Sequence, residues 1–204
     1  ETALPGAHAR NEQAQAIAAA LEAAGYKRIG LDHFALPDDD LALASDSGAL
    51  HRNFQGYTTD ACKTLIGLGA SAIGRFAQGY VQNEVPLGLY ARRIAEGSLA
   101  TTKGYALTPE DRLRGDVIER LMCDFSADIG ALSEQHGFAS DTLLAGNAML
   151  RQLQDDGIVT LEGSILRVDA ANRFVIRAVA SAFDAYLNTS GRSFSNRPSG
   201  QKVL

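Results

Sequence analysis

Four consecutive residues, Thr108-Pro109-Glu110-Asp111, constrain the fold more than any other stretch of the chain. A capping threonine, a proline at the first helical position and two carboxylates in the first turn together specify a helix start, because each satisfies or complements the unpaired N–H groups there. Leu113, Val117, Ile118, Leu121, Met122 and Phe125 follow at helical spacing and commit one face of that helix to a core. A second helix is predicted over 129–136, closed by Gly137. A third is predicted over 141–154, with Leu143, Leu144, Met149, Leu150 and Leu153 on its apolar side. Beyond Gly157, alternating apolar residues in 158–161 and 165–168 flank Glu162 and Gly163, the signature of a hairpin. Asp169 then caps a last long helix running to 186. Three helices, a hairpin and a helix resemble a winged helix. This unit is assigned to 108–187, and the Ser-, Asn-, Gly- and Arg-rich stretch 188–204 is predicted to be a flexible tail.

The first 107 residues have a different character. Ala14, Ile17, Ala18 and Leu21 make an amphipathic helix of 11–24, stopped by Gly25. A strand of mixed exposure is predicted directly after it, over 26–34, ended by Pro37 and three aspartates. A helix feeding a strand this tightly suggests part of a βα architecture, in which ligands gather beyond the carboxyl ends of parallel strands. Asp32 and His33 fall at that position; they are either site residues or a local hydrogen-bonded pair. A short helix or turn over 41–50, strands near 54–58 and 65–73, and a helix carrying Leu87, Tyr90, Ala91, Ile94 and Ala95 complete the reading, which is α+β overall.

Composition excludes several classes. A net charge of -5 and a pI near 5.3 offer no global attraction to nucleic acid. The winged-helix segment is no better suited, since 141–187 holds six acidic residues against four arginines. No apolar run approaches the roughly 20 residues needed to cross a bilayer, and the N-terminus lacks the basic-then-apolar order of a secretory signal. A soluble, cytoplasmic protein is expected. Cys62 and Cys123 are too few and too distant for a disulfide framework or a CxxC metal site, so two reduced thiols are expected. No residue set of catalytic or metal-ligating spacing stands out, and His8 and His136 read as surface residues.

The chemically richest stretch is 50–74, LHRNFQGYTTDACKTLIGLGASAIG. His51, Arg52, Asn53, Phe54, Gln55, Tyr57, Thr58 and Thr59 set donors, acceptors and ring faces side by side, as a polar ligand with apolar parts requires. Arg52 and His51 could hold a carboxylate or phosphate. Gly67, Gly69 and Ala72 fit a loose G-x-G-x-x-A dinucleotide pattern, but no helix is predicted to open at Gly69 and no acidic residue follows in a βαβ unit. The glycines instead read as places of close backbone approach.

Four segments, LDHFALPDDDLA, LHRNFQGYTT, LIGLGASAIG and AFDAYL, occur in that order between 25 and 187. They resemble the oxygen-independent coproporphyrinogen III oxidase family of radical S-adenosylmethionine enzymes, and FQGYTT favours the oxidase over related haem chaperones. The resemblance implies that 1–107 forms the end of an incomplete α/β barrel with active-site strands, and that 108–187 is the mostly helical C-terminal domain. It implies an oxidoreductase that, through a 5′-deoxyadenosyl radical, decarboxylates two propionates of coproporphyrinogen III to vinyl groups. The cofactors implied are S-adenosylmethionine and a [4Fe-4S] cluster. By motif, Phe54, Gln55 and Ile73 become contacts to S-adenosylmethionine, including a second molecule. By charge, His51 and Arg52 become partners for substrate propionates. The family's CxxxCxxC is missing, so a partner barrel half and the cluster ligands are expected outside this chain, which alone would be inactive. The alternative is a stand-alone winged-helix-like module that binds protein or nucleic acid.

Overall fold

A computed structural model of the chain describes residues 5–187; the tail assigned to 188–204 lies outside the described residues. Helix α1 (Ala7–Ala23) leads into strands β1 (Lys27–Ile29) and β2 (His33–Ala35), which pair antiparallel. The single strand predicted over 26–34 is therefore a hairpin. Its cause is Gly30, whose φ of 55° turns the chain and whose missing Cβ would lie 2.0 Å from the Tyr57 ring. Asp32 and His33 sit in the turn and at the start of β2, not at the end of a parallel strand; every strand pairing among the described residues is antiparallel.

Helix α2 (Asp40–Asp46) starts where the Asp39 carboxylate accepts the Leu41 N–H at 2.8 Å. Strands β3 (His51–Arg52) and β4 (Tyr57–Thr58) form a second hairpin, shorter than the strand predicted over 54–58 because Asn53 to Gly56 make its turn. The run 65–73 is mostly irregular and touches the sheet through the Leu65–Arg75 bridge. Strands β5 (Ile73–Phe76), β6 (Gly79–Asn83) and β7 (Thr101–Ala106) make a sheet in that order, with α3 (Leu87–Ala95) crossing between β6 and β7. Sequence reasoning missed β6 and β7, whose glycines and polar residues mask the alternation of a half-buried strand.

The predicted capping box is present: α4 (Pro109–Asp124) begins with Thr108 and Asp111 satisfying each other's backbone N–H. Strand β8 (Ser126–Asp128) follows, then α5 (Ile129–Gln135) and α6 (Ala148–Asp155). The third helix begins later than predicted because Asn147 caps it, accepting from Leu150 and donating to the carbonyls of Leu143 and Ala182. The predicted hairpin forms from β9 (Val159–Glu162) and β10 (Ile165–Val168), and β8 adds to β10. The last long helix is split into a 3-10 turn (Ala170–Val175) and α7 (Ile176–Ser181). After α7 the chain bends and buries Phe183 completely, and Arg114 holds the Phe183 carbonyl at 3.1 Å.

Two apolar clusters result. The larger joins Leu113, Val117 and Leu121 of α4 to Ile129, Leu150, Leu166, Ile176, Val179 and Phe183. The smaller joins Ile29, Ala42, Leu50 and Tyr57 to Cys123 of α4. Each fully buried large side chain contributes about 1.5–3 kcal/mol, so α4, which enters both clusters, is the element on which they jointly depend.

Two outcomes are expected. Tyr57→Phe should destabilise the protein by about 1–3 kcal/mol in chemical denaturation, because it strands a backbone N–H and a backbone carbonyl that the hydroxyl now serves. Asp128→Ala should cost about 1 kcal/mol at neutral pH by removing the cap of α5. Hydrogen bonds from the Ala131 N–H and the Ser164 hydroxyl hold the Asp128 carboxyl below its ordinary range. Its stabilisation is therefore complete above the unfolded value of about 3.9 and is lost as pH falls through the folded value, so the deficit of the variant should shrink on acidification.

Candidate functional site

The β3–β4 hairpin projects a four-residue turn. Asn53 N–H donates to the Gly56 carbonyl at 2.9 Å and Gln55 N–H donates to Asn53 Oδ1 at 2.8 Å, which fixes the backbone and leaves Phe54 and the Gln55 side chain pointing outward. Phe54 remains 54% exposed and meets Tyr80 of β6 edge to face, with ring centroids 5.4 Å apart.

Opposite this turn, the run 65–73 folds back onto the sheet. Asn83 holds it by donating to the carbonyls of Gly67 at 3.1 Å and Gly69 at 3.0 Å, while Ser71 N–H donates to the Glu84 carbonyl. No helix opens at Gly69, so the dinucleotide pattern has no structural counterpart. Gly67 packs so closely on β5 that an added Cβ would lie 2.8 Å from the Ile73 carbonyl oxygen. Phe54, Gln55 and Ile73, separated in sequence, thereby line one pocket of about 450 Å³ with Leu65, Ile66 and Leu68. Its chemistry is a ring face, a side-chain amide without a hydrogen bond among the described residues, and an aliphatic wall.

A second cleft of about 550 Å³ shares Phe54 and reaches α4. His51 and Arg52 line it, but both are engaged. His51 Nδ1 donates to Glu119 Oε1 at 3.0 Å, and the same oxygen accepts the Arg52 N–H at 3.1 Å. The Arg52 guanidinium lies over the Tyr57 ring, 5.6 Å from its centroid, with its Nε buried and unpaired among the described residues. Arg120 completes the clamp by donating to the Leu50 carbonyl at 2.6 Å and to Asp124 at 2.8 Å. Arg75 and Lys63 also line this cleft and make no ion pair among the described residues.

Sequence reasoning missed Glu119, Arg120, Asn83 and Tyr80. Glu119 and Arg120 carried a signal: they lie off the Leu113, Val117 and Leu121 stripe of α4. Asn83 and Tyr80 lie on a strand that was not recognised. Neither thiol is activated. A hydrogen bond and the charge of Asp60 push the exposed Cys62 thiol up, and burial pushes Cys123 up to about 12. With two cysteines so placed, the residues present do not fit a cluster that needs three thiolate ligands, and no group of three metal-ligating side chains stands together among the described residues.

Residues 107–175 match the HemN C-terminal domain. An oxygen-independent coproporphyrinogen III oxidase from Bradyrhizobium diazoefficiens is 55% identical over 186 residues, covering 91% of this chain and 41% of that protein. One from Thermostichus vulcanus is 41% identical, covering 95% of this chain and 61% of that protein. The solved coproporphyrinogen III oxidase (HemN) of Escherichia coli, described as a radical SAM enzyme, superposes with a TM-score of 0.85 at 38% identity, over 91% of this chain and 43% of its own. The fold is thus that of the C-terminal part of a radical SAM enzyme. The chain is similar to part of the oxygen-independent coproporphyrinogen III oxidases, and it spans about two fifths of the length of most of the curated relatives it matches. The stand-alone winged-helix reading is not favoured, since that segment is the one matched to the HemN C-terminal domain.

The pocket generates a direct expectation. If this pocket receives S-adenosylmethionine, as proposed below, Ile73→Asp should abolish, and Gln55→Ala should weaken by about tenfold, its binding measured by calorimetry, with the Gln55→Ala fold unchanged by circular dichroism.

Proposed function

We propose that this chain forms the C-terminal part of an oxygen-independent coproporphyrinogen III oxidase, in which residues 1–107 end the barrel and carry the active-site turn while 108–187 form the covering helical domain. The whole enzyme converts two propionates of coproporphyrinogen III to vinyl groups with loss of carbon dioxide, yielding protoporphyrinogen IX in the cytoplasm. The observation that carries this reading is the convergence of Phe54, Gln55 and Ile73 on one pocket. S-adenosylmethionine, when bound, supplies the oxidising radical. The chain's own contribution is to seat the adenosine and methyl surfaces on Phe54 and Ile73 and to satisfy a polar group with the Gln55 amide.

The larger cleft, with the Phe54 and Tyr80 rings beside Arg75, Lys63, His51 and Arg52, suits a flat ring system bearing carboxylates. A further polypeptide half supplies the cluster, for which this chain has no ligand set.

A chimera tests the proposal. Grafted in place of the matching part of the Bradyrhizobium diazoefficiens relative, this chain should support anaerobic conversion of coproporphyrinogen III, and Gln55→Ala in the graft should lower turnover by about tenfold or more. The 204-residue chain alone, reconstituted anaerobically with iron and sulfide, should give neither a [4Fe-4S] spectrum nor cleavage of S-adenosylmethionine. An inactive chimera that nonetheless binds its cluster would count against the assignment.

A further inference from the structure

Asp32 and His33 are not used by either pocket described above. Their geometry is that of an oriented imidazole. His33 Nδ1 donates to Asp32 Oδ1 at 2.9 Å, and the ring stands edge-on to Tyr57, 5.0 Å between centroids with the planes 84° apart. Arg177 approaches the other Asp32 oxygen at 3.8 Å, so the carboxylate is itself held from the helical domain. A carboxylate on Nδ1 fixes the tautomer and leaves Nε2 as the working nitrogen.

Nε2 has no hydrogen-bond partner among the described residues, and it faces the turn that carries Phe54 and Gln55. A Cβ built on Gly56 would come within 3.2 Å of it. Gly56 also has a φ of 143°, which side-chain-bearing residues rarely adopt, so both the backbone and the space over Nε2 depend on glycine. The imidazole is 44% exposed, open to a small ligand group from the solvent side.

We propose that His33, oriented by Asp32, is a further ligand-binding residue of the site and receives a carboxylate of the molecule seated against the Phe54–Gln55 turn. The inference rests on the pocket reading given above. Once protonated, Nε2 donates a charge-assisted hydrogen bond to the incoming carboxylate, while Asp32 and Arg177 balance the local charge. Two sources offer that group: the aminoacyl end of S-adenosylmethionine and a propionate of the tetrapyrrole.

Calorimetric titration of the 204-residue chain with two matched pairs separates them. The first pair is S-adenosylmethionine and its decarboxylated analogue; the second is coproporphyrin III and its tetramethyl ester. His33→Phe keeps a ring against Tyr57 without a nitrogen, and Asp32→Asn removes the orienting charge. Both should weaken the carboxylate-bearing member of one pair by about tenfold or more and leave its carboxylate-free partner unchanged; the responding pair identifies the source. The ring nitrogens of the wild-type chain provide a second readout, since His33 Nε2 should shift in ¹⁵N spectra only with the carboxylate-bearing ligand. Equal binding by wild type and variants, with no ring-nitrogen shift, would overturn the inference and leave the pocket reading intact. Failure of the wild-type chain to bind any of the four would overturn both.

Discussion

The Tyr57 hydroxyl is the point at which the two halves of this structure are tied. It accepts the Leu31 N–H at 3.0 Å and donates to the Met122 carbonyl at 3.0 Å, joining the β1–β2 turn, the β3–β4 hairpin and the end of α4 through one atom. Burial dominates its environment and pushes the phenol's pKa up, so it stays a neutral donor under all ordinary conditions. The ring serves as well as the hydroxyl. It fills the space that Gly30 leaves open, carries the Arg52 guanidinium on one side and meets the His33 edge on another. A buried polar atom with both partners in place favours one arrangement of the surrounding backbone, because any slippage leaves a desolvated N–H or carbonyl unpaired. The turn bearing Phe54 and Gln55 begins at Asn53, one residue beyond Arg52, so its position follows from this junction.

Helix α4 works the same boundary from the other side. Leu113, Val117 and Leu121 are buried in the C-terminal core, while Glu119 and Arg120 face away from it and hold 48–52 by hydrogen bonds to backbone. Cys123 belongs to the smaller cluster. The helix is therefore packed by its apolar stripe and hydrogen-bonded by its polar one, and the site hairpin takes its orientation from the second. Hydrogen bonds involving a charged group contribute about 1.5–3 kcal/mol each, enough for Glu119 and Arg120 together to set the resting position of a two-residue strand pair that could not stand alone.

What was legible in the sequence was whatever depends on neighbours along the chain. The Thr108 capping box, the hairpin around Gly163 and the apolar face of α4 all follow from local chemistry, and all are present. The turn at Gly30 was not legible, because its cause is the Tyr57 ring, distant in sequence. The same holds for the break before α6, set partly by the Ala182 carbonyl on Asn147, and for the end of α7, where burial of Phe183 overrides continued helix. At the candidate site, resemblance singles out Phe54, Gln55 and Ile73, which line one pocket, whereas charge alone points to His51 and Arg52. Their structural partners, Glu119 and Tyr57, could not be read from spacing, and the cations of the same cleft that make no ion pair among the described residues include Arg75 and Lys63.

The exposed surface around the pocket bears on how such a site could work. Ile66 and Leu68 are 68% and 87% exposed, and Phe54 is half exposed beside them. Apolar side chains gathered on one rim lose stability by facing water, and a radical or any other reactive intermediate held there would meet solvent before substrate. The backbone beneath is nevertheless firmly held, by Asn83 on the Gly67 and Gly69 carbonyls and by the bridge from Leu65 to Arg75. A rigid support under an uncovered apolar rim is what a preformed half-site requires, since ordering these side chains adds little to the cost of association. On the proposed reading, the surface that closes over Leu68 and Phe54 is the one that also brings the thiolate ligands. Covering the rim and completing the reactive chamber would then be a single packing event, driven by the apolar area that the isolated wall leaves in water.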